Sequence, residues 1–291
     1  MTEIWQSDVH ALKRVLMKHV RDAFGTDLQV DNQWQELNYL GRPSLEGALR
    51  EYEALTSLIQ SFGTEILYLP AASGTGMDSL YARDAAIATA RGMILCNMGK
   101  AARKGEPIAQ KAFYEANGIP VLGVIEGTGS VEGGDVAWID EHTLGIARGY
   151  RTNAEGIRQM RQLLGEEVEL VEVDLPHFRG PSDVFHLMSI YSPIAPDAAI
   201  IYSPLMPVRF RELLVFRGVK LIEVPEEEYD TMGCNVLAMA PYKCITVEGS
   251  PITAERIRAA GGEVFPYAGK EISLKGCGGP TCLTRPLSRT V

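Results

Sequence analysis

Long apolar runs are missing. Nowhere in the 291 residues does an uninterrupted apolar stretch approach the ~20 residues that a bilayer-spanning helix needs, so no membrane span is expected. The first residues, Met1-Thr2-Glu3-Ile4-Trp5, lack the basic-then-apolar form of a secretory leader, which predicts a cytoplasmic protein. Cysteine is scarce: the five, at 96, 234, 244, 277 and 282, are odd in number and nowhere spaced CxxC, which argues against disulfide or zinc frameworks. Histidine is equally scarce, with five, and the interval from His177 to His186 is too long for a helical metal-binding pair, so no metal or cofactor is expected. Positive charge is short as well. Against 37 acidic residues stand 28 Lys and Arg, a net charge of −9 that speaks against a broad basic face for nucleic acid. The same excess of negative charge steers a small cationic molecule inward.

What is present is an ordinary globular composition, 46% hydrophobic and 22% charged, in a chain long enough for one large or two ordinary domains. Apolar residues Trp5, Val9, Leu12, Leu16 and Val20 recur at helical spacing and predict an amphipathic helix over residues 5–24, carrying both His10 and His19. Residues 26–43 carry no clear pattern. Residues 1–43 are thus expected to be a helix and lead-in packed on a single main domain, 44–291. Apolar residues among these early helices offer a face for a homodimer.

From residue 47 onward the chain repeats itself. Five times a helical segment leads into a short β-rich run: 47–62 into 65–69, 108–117 into 119–125, 154–164 into 168–173, 208–217 into 219–224, and 254–260 into 263–267. In four of the five another apolar run precedes the helix, at 93–96, 143–147, 198–202 and 244–247. The unit reads strand, helix, strand with a period of roughly 50 residues, which predicts an α/β architecture with parallel pairing. A doubly wound sheet produces the same alternation without symmetry and is the competing architecture.

The polar, glycine-rich segments fall at one place in each unit, after its last strand: residues 73–84, 126–135, 174–186, 225–235 and 269–282. Five equivalent units around a common axis would bring these five loops to one face. That face would hold carboxylates, a histidine and a cysteine. Cys282 follows a glycine-rich run in which missing Cβ atoms let a ligand approach, and His186 is the imidazole that can tune its thiol. Cys277 shares the loop and is the competing nucleophile; Cys96, Cys234 and Cys244 lie in or near apolar runs and read as core. Glu132 and Asp84 each close a polar turn before an apolar run, where either is equally a solvated turn acid.

Four ordered stretches carry a resemblance: Asp78-Ser79-Leu80-Tyr81-Ala82-Arg83-Asp84, Glu132-Gly133-Gly134-Asp135, Phe185-His186-Leu187-Met188 and Gly278-Gly279-Pro280-Thr281-Cys282. Gly149-Tyr150-Arg151-Thr152-Asn153 and Met232-Gly233-Cys234-Asn235 add to it. Together, over about residues 63–287, they resemble the guanidino-group-modifying penteins: dimethylarginine dimethylaminohydrolases, arginine deiminases and amidinotransferases. The resemblance implies a five-bladed α/β propeller of ββαβ units around a central site. It implies Cys282 as nucleophile, His186 as general acid and base, and Glu132 as the carboxylate that orients the histidine. It implies Asp84 as the grip on a guanidinium, Asp78 on an α-amine, and Arg103 and Arg151 on an α-carboxylate. Pairing with a nearby acid, Glu106 or Glu155, is the alternative for the two arginines.

One departure stands out. Where arginine deiminases carry a second guanidinium-clamping aspartate, two residues after the histidine, this chain has Met188, and it has no room for their helical insertion. The implied reaction is cysteine-dependent hydrolysis of an arginine-like guanidine, through an amidino-thioether, to a urea-type product such as citrulline. An amidinotransferase, an arginine dihydrolase yielding ornithine and a non-catalytic pentein are the alternatives. The last class lacks the cysteine and the histidine that this chain retains.

Overall fold

In a computed structural model that describes residues 3–290, the repeat shows itself as five small sheets. Four have three strands and a common plan. The second unit runs β4 (Ala86–Thr89), β5 (Gly92–Leu95), α4 (Glu106–Ala116) and β6 (Val121–Val124); β4 pairs antiparallel with β5, and β5 parallel with β6. The third has β7 (Val136–Asp140), β8 (Thr143–Arg148), α5 (Ala154–Leu164) and β9 (Glu169–Asp174). The fourth has β10 (Tyr191–Ala195), β11 (Ala198–Ile201), α6 (Val208–Phe216) and β12 (Lys220–Glu223), and the fifth β13 (Leu237–Ala240), β14 (Lys243–Val247), α7 (Pro251–Ala259) and β15 (Glu263–Tyr267).

The first sheet is built from both ends of the sequence. Strand β2 (Ala11–Lys18) pairs parallel with β3 (Glu65–Leu69) on one side and antiparallel with β16 (Arg285–Thr290) on the other, while β1 (Glu3–Ile4) edges β16. Helices α1 (Val20–Phe24), α2 (Asp27–Gln33) and α3 (Leu45–Ser61) lie between β2 and β3. Neighbouring sheets meet through their inner strands, β16 against β4, β7 against β10 and β10 against β13, and β13 also lies against β2. The remaining joint is the bridge from Asn97 to Val131. The ring therefore closes as a five-bladed α/β propeller, and the antiparallel first pair in every blade rules out the doubly wound alternative.

Two expectations are corrected. Residues 5–24 do not form one helix: Ala11–Lys18 is a strand, and only Val20–Phe24 is helical, with His19 as its N-cap accepting from the Arg21 N–H at 3.1 Å. The misreading has a physical cause. Flanked by β16 and β3 and covered by α3, β2 buries Leu12, Val15, Leu16 and Met17 in a nearly continuous run, and a strand buried on both faces loses the alternation that marks it. The second correction is to the unit itself. The residues alone read as strand, helix, strand, whereas each blade has a further inner strand, as the ββαβ resemblance implied. Inner strands of four to six residues, almost wholly buried, resemble extensions of the polar loops before them.

The five helices of the repeat form where expected and for local reasons, while α2 falls in the stretch that carried no clear pattern. Ser44 caps α3 by accepting from the Gly47 N–H at 3.2 Å, and α3 buries Ala48, Tyr52, Leu55 and Ile59 along one stripe. Asn153 caps α5 by accepting from Gly156 N–H at 2.8 Å and also takes the Ser130 N–H at 3.1 Å, tying that helix to the loop before β7. Among the described residues no helix is long and apolar enough to cross a membrane.

Closure of the first sheet rests on apolar contacts of β16. Leu287 is fully buried in a cluster with Leu16, Ala88 and Leu95, drawn from two blades. Leu287→Ala should lower the unfolding free energy by about 2–5 kcal/mol, the cost of a large-to-small change in a tight core. Urea denaturation measures it, and a loss below about 1 kcal/mol would show that β16 is not anchored there.

Candidate active site

The loops that carry the expected site residues each end at an inner strand. Asp84 precedes β4, Glu132 precedes β7, His186 precedes β10, Asn235 precedes β13 and Cys282 precedes β16. All five blades thus deliver a side chain to one end of the ring.

Glu132 and His186 form the centre. Glu132 is fully buried, and its Oε2 lies 2.8 Å from His186 Nε2. Its Oε1 accepts the Lys100 N–H at 2.9 Å, Arg151 donates to Oε2 at 3.3 Å, and its own N–H donates to Thr152 Oγ1 at 3.2 Å. Burial alone would raise its carboxyl pKa. The bond to His186, the charge of that ring and the two arginines Arg151 and Arg103 overcome this and hold it below the ordinary 4.5. For His186 the balance has the opposite sign: burial lowers its pKa, but Asp135, Glu132 and Asp84 raise it to about 9. The imidazole is therefore cationic at neutral pH. Asp135, which accepts the Leu187 N–H at 3.2 Å, is pushed up to about 6 by burial, with His186 opposing.

Gly134 makes the approach of these groups feasible. A Cβ there would stand 2.6 Å from His186 Nδ1 and 2.9 Å from Asp84 Oδ1, so only glycine lets the ring and the carboxylate close in. Asp84 Oδ2 accepts from Arg103 Nη1 at 2.5 Å; Oδ1, buried beside the histidine, has no partner among the described residues. Such an oxygen is costly unless it receives a donor.

Cys282 is half-buried, and its Sγ accepts from Asn235 Nδ2 at 3.2 Å. Asn235 in turn accepts the Thr281 N–H at 3.0 Å through Oδ1, so one amide fixes both the thiol and its loop. A Cβ at Gly279 would fall 2.5 Å from that amide, which explains the glycine. Burial and the Asp84 charge push the Cys282 thiol up to about 11, with the Asn235 bond pulling the other way. The pocket without ligand therefore stores a protonated thiol beside a charged imidazole. Cys277, at φ 58 and half-buried, lines the same pocket, and burial pushes its thiol up to about 11 as well. Cys96, Cys234 and Cys244 are core, as their apolar surroundings indicated.

The two arginines sit differently from each other. Arg103 clamps Glu106 with both Nε and Nη2, at 2.9 and 2.7 Å, and also reaches the Tyr81 carbonyl at 2.9 Å. The Arg103–Glu106 pairing weighed from the sequence is thus present, deep in the wall and not on the surface. Burial pushes Glu106 up to about 7 against the pull of Arg103. Arg151 holds Glu132 and the Asp183 carbonyl, at 3.3 and 3.0 Å, rather than Glu155. Asp78 pairs with Lys100 Nζ at 2.6 Å, and Lys100 also reaches the Leu37 carbonyl at 2.8 Å. His177 bonds Tyr150 on the surface, and His142 lies in the β7–β8 turn. Asn235, Lys100, Asp135 and the loop at Leu37–Leu40 were not assigned roles from the sequence. The i, i+3 spacing of Arg103 and Glu106 was the one legible sign of these contacts.

A family model described as eukaryotic N,N dimethylarginine dimethylhydrolase matches residues 22–289. The chain belongs to that family, whose members are hydrolases of guanidino carbon–nitrogen bonds. Among its relatives is the N(G),N(G)-dimethylarginine dimethylaminohydrolase of Pseudomonas aeruginosa, 28% identical over 254 residues that make up 85% of this chain and 91% of the relative. The enzyme of the same name from Streptomyces coelicolor is 29% identical, over 81% of this chain and 84% of the relative. In structure, a cysteine-to-serine mutant of the Pseudomonas enzyme complexed with citrulline superposes with a TM-score of 0.76 at 24% identity, covering 94% of this chain and 99% of the other. The N-terminal domain of a cyanobacterial arginine dihydrolase, bound to substrate, gives 0.80 at 23% identity, covering 95% and 98%. These superpositions are of the pentein fold, the one the five closed blades display.

Two measurements follow from the charges. Iodoacetamide should alkylate Cys282 with a rate that climbs toward a midpoint near 11, and Asn235→Ala should move that midpoint upward because the amide bond favours thiolate. An inflection between about 7 and 8 in the protein without ligand would contradict the arrangement. For His186, a folded-state pKa raised from 6.5 to about 9 contributes stability that is fully present below 6.5 and lost as pH rises through 9. Urea midpoints taken across that window should therefore fall with rising pH, and His186→Gln should flatten the fall.

Proposed function

We propose that the chain hydrolyses an arginine-type guanidine through a covalent intermediate on Cys282, releasing an amine and then a citrulline-type urea. The observation that carries the reading is the meeting of Cys282, cationic His186 and the unpartnered Asp84 Oδ1 at one end of the ring. A substrate guanidinium donates to Asp84, whose buried oxygen calls for a charge-assisted bond. The incoming cation stabilises thiolate, and the proton of Cys282 leaves to solvent. Thiolate adds to the guanidinium carbon. His186, already protonated and oriented by Glu132, gives its proton to the departing nitrogen, and the amine leaves. The neutral imidazole then takes a proton from water, whose oxygen adds to the amidino carbon; collapse expels Cys282 and frees the urea. One residue serves as acid and then as base. Asp78, Lys100, Arg103 and Arg151 line a recess that also includes Cys282 and fit the charged end of an α-amino acid. For Asp78 to take an α-amine, Lys100 must give way.

The relatives support this reading through the dimethylarginine substrates their names carry and the citrulline bound in the Pseudomonas structure. Met188 in place of a second carboxylate clamp favours substituted guanidines over free arginine.

Citrulline production from arginine and Nω-methylated arginines tests the proposal, with intact-mass detection of an adduct on Cys282. Cys282→Ser should abolish turnover, and His186→Gln should lower it by roughly 100-fold or more, the usual weight of a general acid–base. Absence of both product and adduct across the panel overturns the reading.

A further inference from the structure

Two recesses share Val184, Cys277 and Cys282 in their walls. The first, about 20 Å³, is walled by Asp78, Asp84, Lys100, Arg103 and Arg151. The second, about 180 Å³, shares Cys282 with it and runs past His186 and Met188 to Phe178, Tyr229 and Met232. On a measure by which one water needs about 10–15 Å³, the second recess has room for several atoms beyond the two methyl groups of a dimethylated nitrogen.

The chemistry assigns the two sides. His186 lines only the larger recess, and His186 protonates the nitrogen that departs. The departing nitrogen must face His186, so whatever it carries projects into the larger recess, while the retained chain lies toward the charged one. The larger recess has an apolar wall of Leu40, Phe178, Val184, Met188, Tyr229 and Met232, with polar groups elsewhere in its lining. Tyr229 stacks on Tyr202 with ring centroids 4.0 Å apart and meets Phe178 edge-on at 5.9 Å; Met188 is buried in the core of the same blades. Of the charged groups in this lining, Arg179 pairs with Asp230 at 2.8 Å, while the Asp183 side chain has no partner among the described residues.

We propose that the larger recess is a binding site for an apolar substituent on the departing nitrogen, and that the substrates of this chain are guanidines carrying an alkyl or benzyl group bulkier than dimethyl. The inference rests on the hydrolase reading above. In the balanced step, the bond between the guanidino carbon and the substituted nitrogen breaks, the nitrogen takes the His186 proton, and the product is a primary or secondary amine bearing the apolar group.

The test compares arginine, Nω-methylarginine, Nω,Nω-dimethylarginine, Nω-propylarginine and Nω-benzylarginine by release of citrulline and of the matching amine. In hydrophobic pockets one methylene that fits changes specificity by roughly tenfold or more. Nω-propyl- or Nω-benzylarginine should therefore exceed Nω,Nω-dimethylarginine in kcat/KM by at least about tenfold. Met188→Asp should reverse the order in favour of arginine, and Met188→Leu should keep it. Turnover of arginine or Nω-methylarginine with neither bulky substrate accepted overturns the inference and leaves the hydrolase intact. Calorimetric binding to Cys282→Ser decides the matter without catalysis and without the Met188 variants. Tighter binding of Nω-benzylarginine than of arginine supports the site even if no guanidine is turned over, and equal or weaker binding removes it.

Discussion

The bond from His186 to Glu132 depends on a wider constraint: charges buried at the end of the propeller must balance. Five acids, Asp78, Asp84, Glu106, Glu132 and Asp135, are set against Lys100, Arg103, Arg151 and the imidazolium of His186. Removing one partner from a buried pair costs about 3–5 kcal/mol, so the members hold one another in place. The raised values of Asp135 and Glu106 mark where the balance is closest to tipping. A cationic ligand enters a site that has acceptor capacity left at Asp84 and a thiol still holding its proton. On the proposed reading, binding of the cation and activation of Cys282 would be one electrostatic event.

Each blade contributes to this end of the ring by the same device, a polar loop that runs into a short buried strand. The strand fixes the backbone and the loop supplies the chemistry, so five unlike side chains converge without a long loop having to fold on its own. Asn235 shows how much one residue of this kind can do: its single amide joins the fifth blade to the cysteine of the first.

The outer strands, the helices and the positions of the reactive loops were legible in the sequence because they follow simple periods and because glycine and acidic residues punctuate them. The inner strands were not. Four or five buried residues such as Ala86–Thr89 carry no alternation, and β2 masqueraded as a helix for the same reason. Within the site, Cys282, His186, Glu132 and Asp84 were recognisable from ordered motifs. The partners of Arg103 and Arg151 were less so, since a charge that neutralises a neighbour and one that waits for a ligand look alike in a sequence. Contacts between separate loops, such as Lys100 to Asp78 or Asn235 to Cys282, are set by blade geometry and leave no local trace.

The pairing of β16 with β2 joins residues about as far apart as this chain allows, and Cys282 sits at the start of β16. Until that pairing forms, the thiol has no carboxylate, imidazole or amide beside it. With its ends apart the chain leaves that thiol without these neighbours and the facing edges of β2 and β16 unpaired, so the environment of the cysteine and the first sheet are completed together.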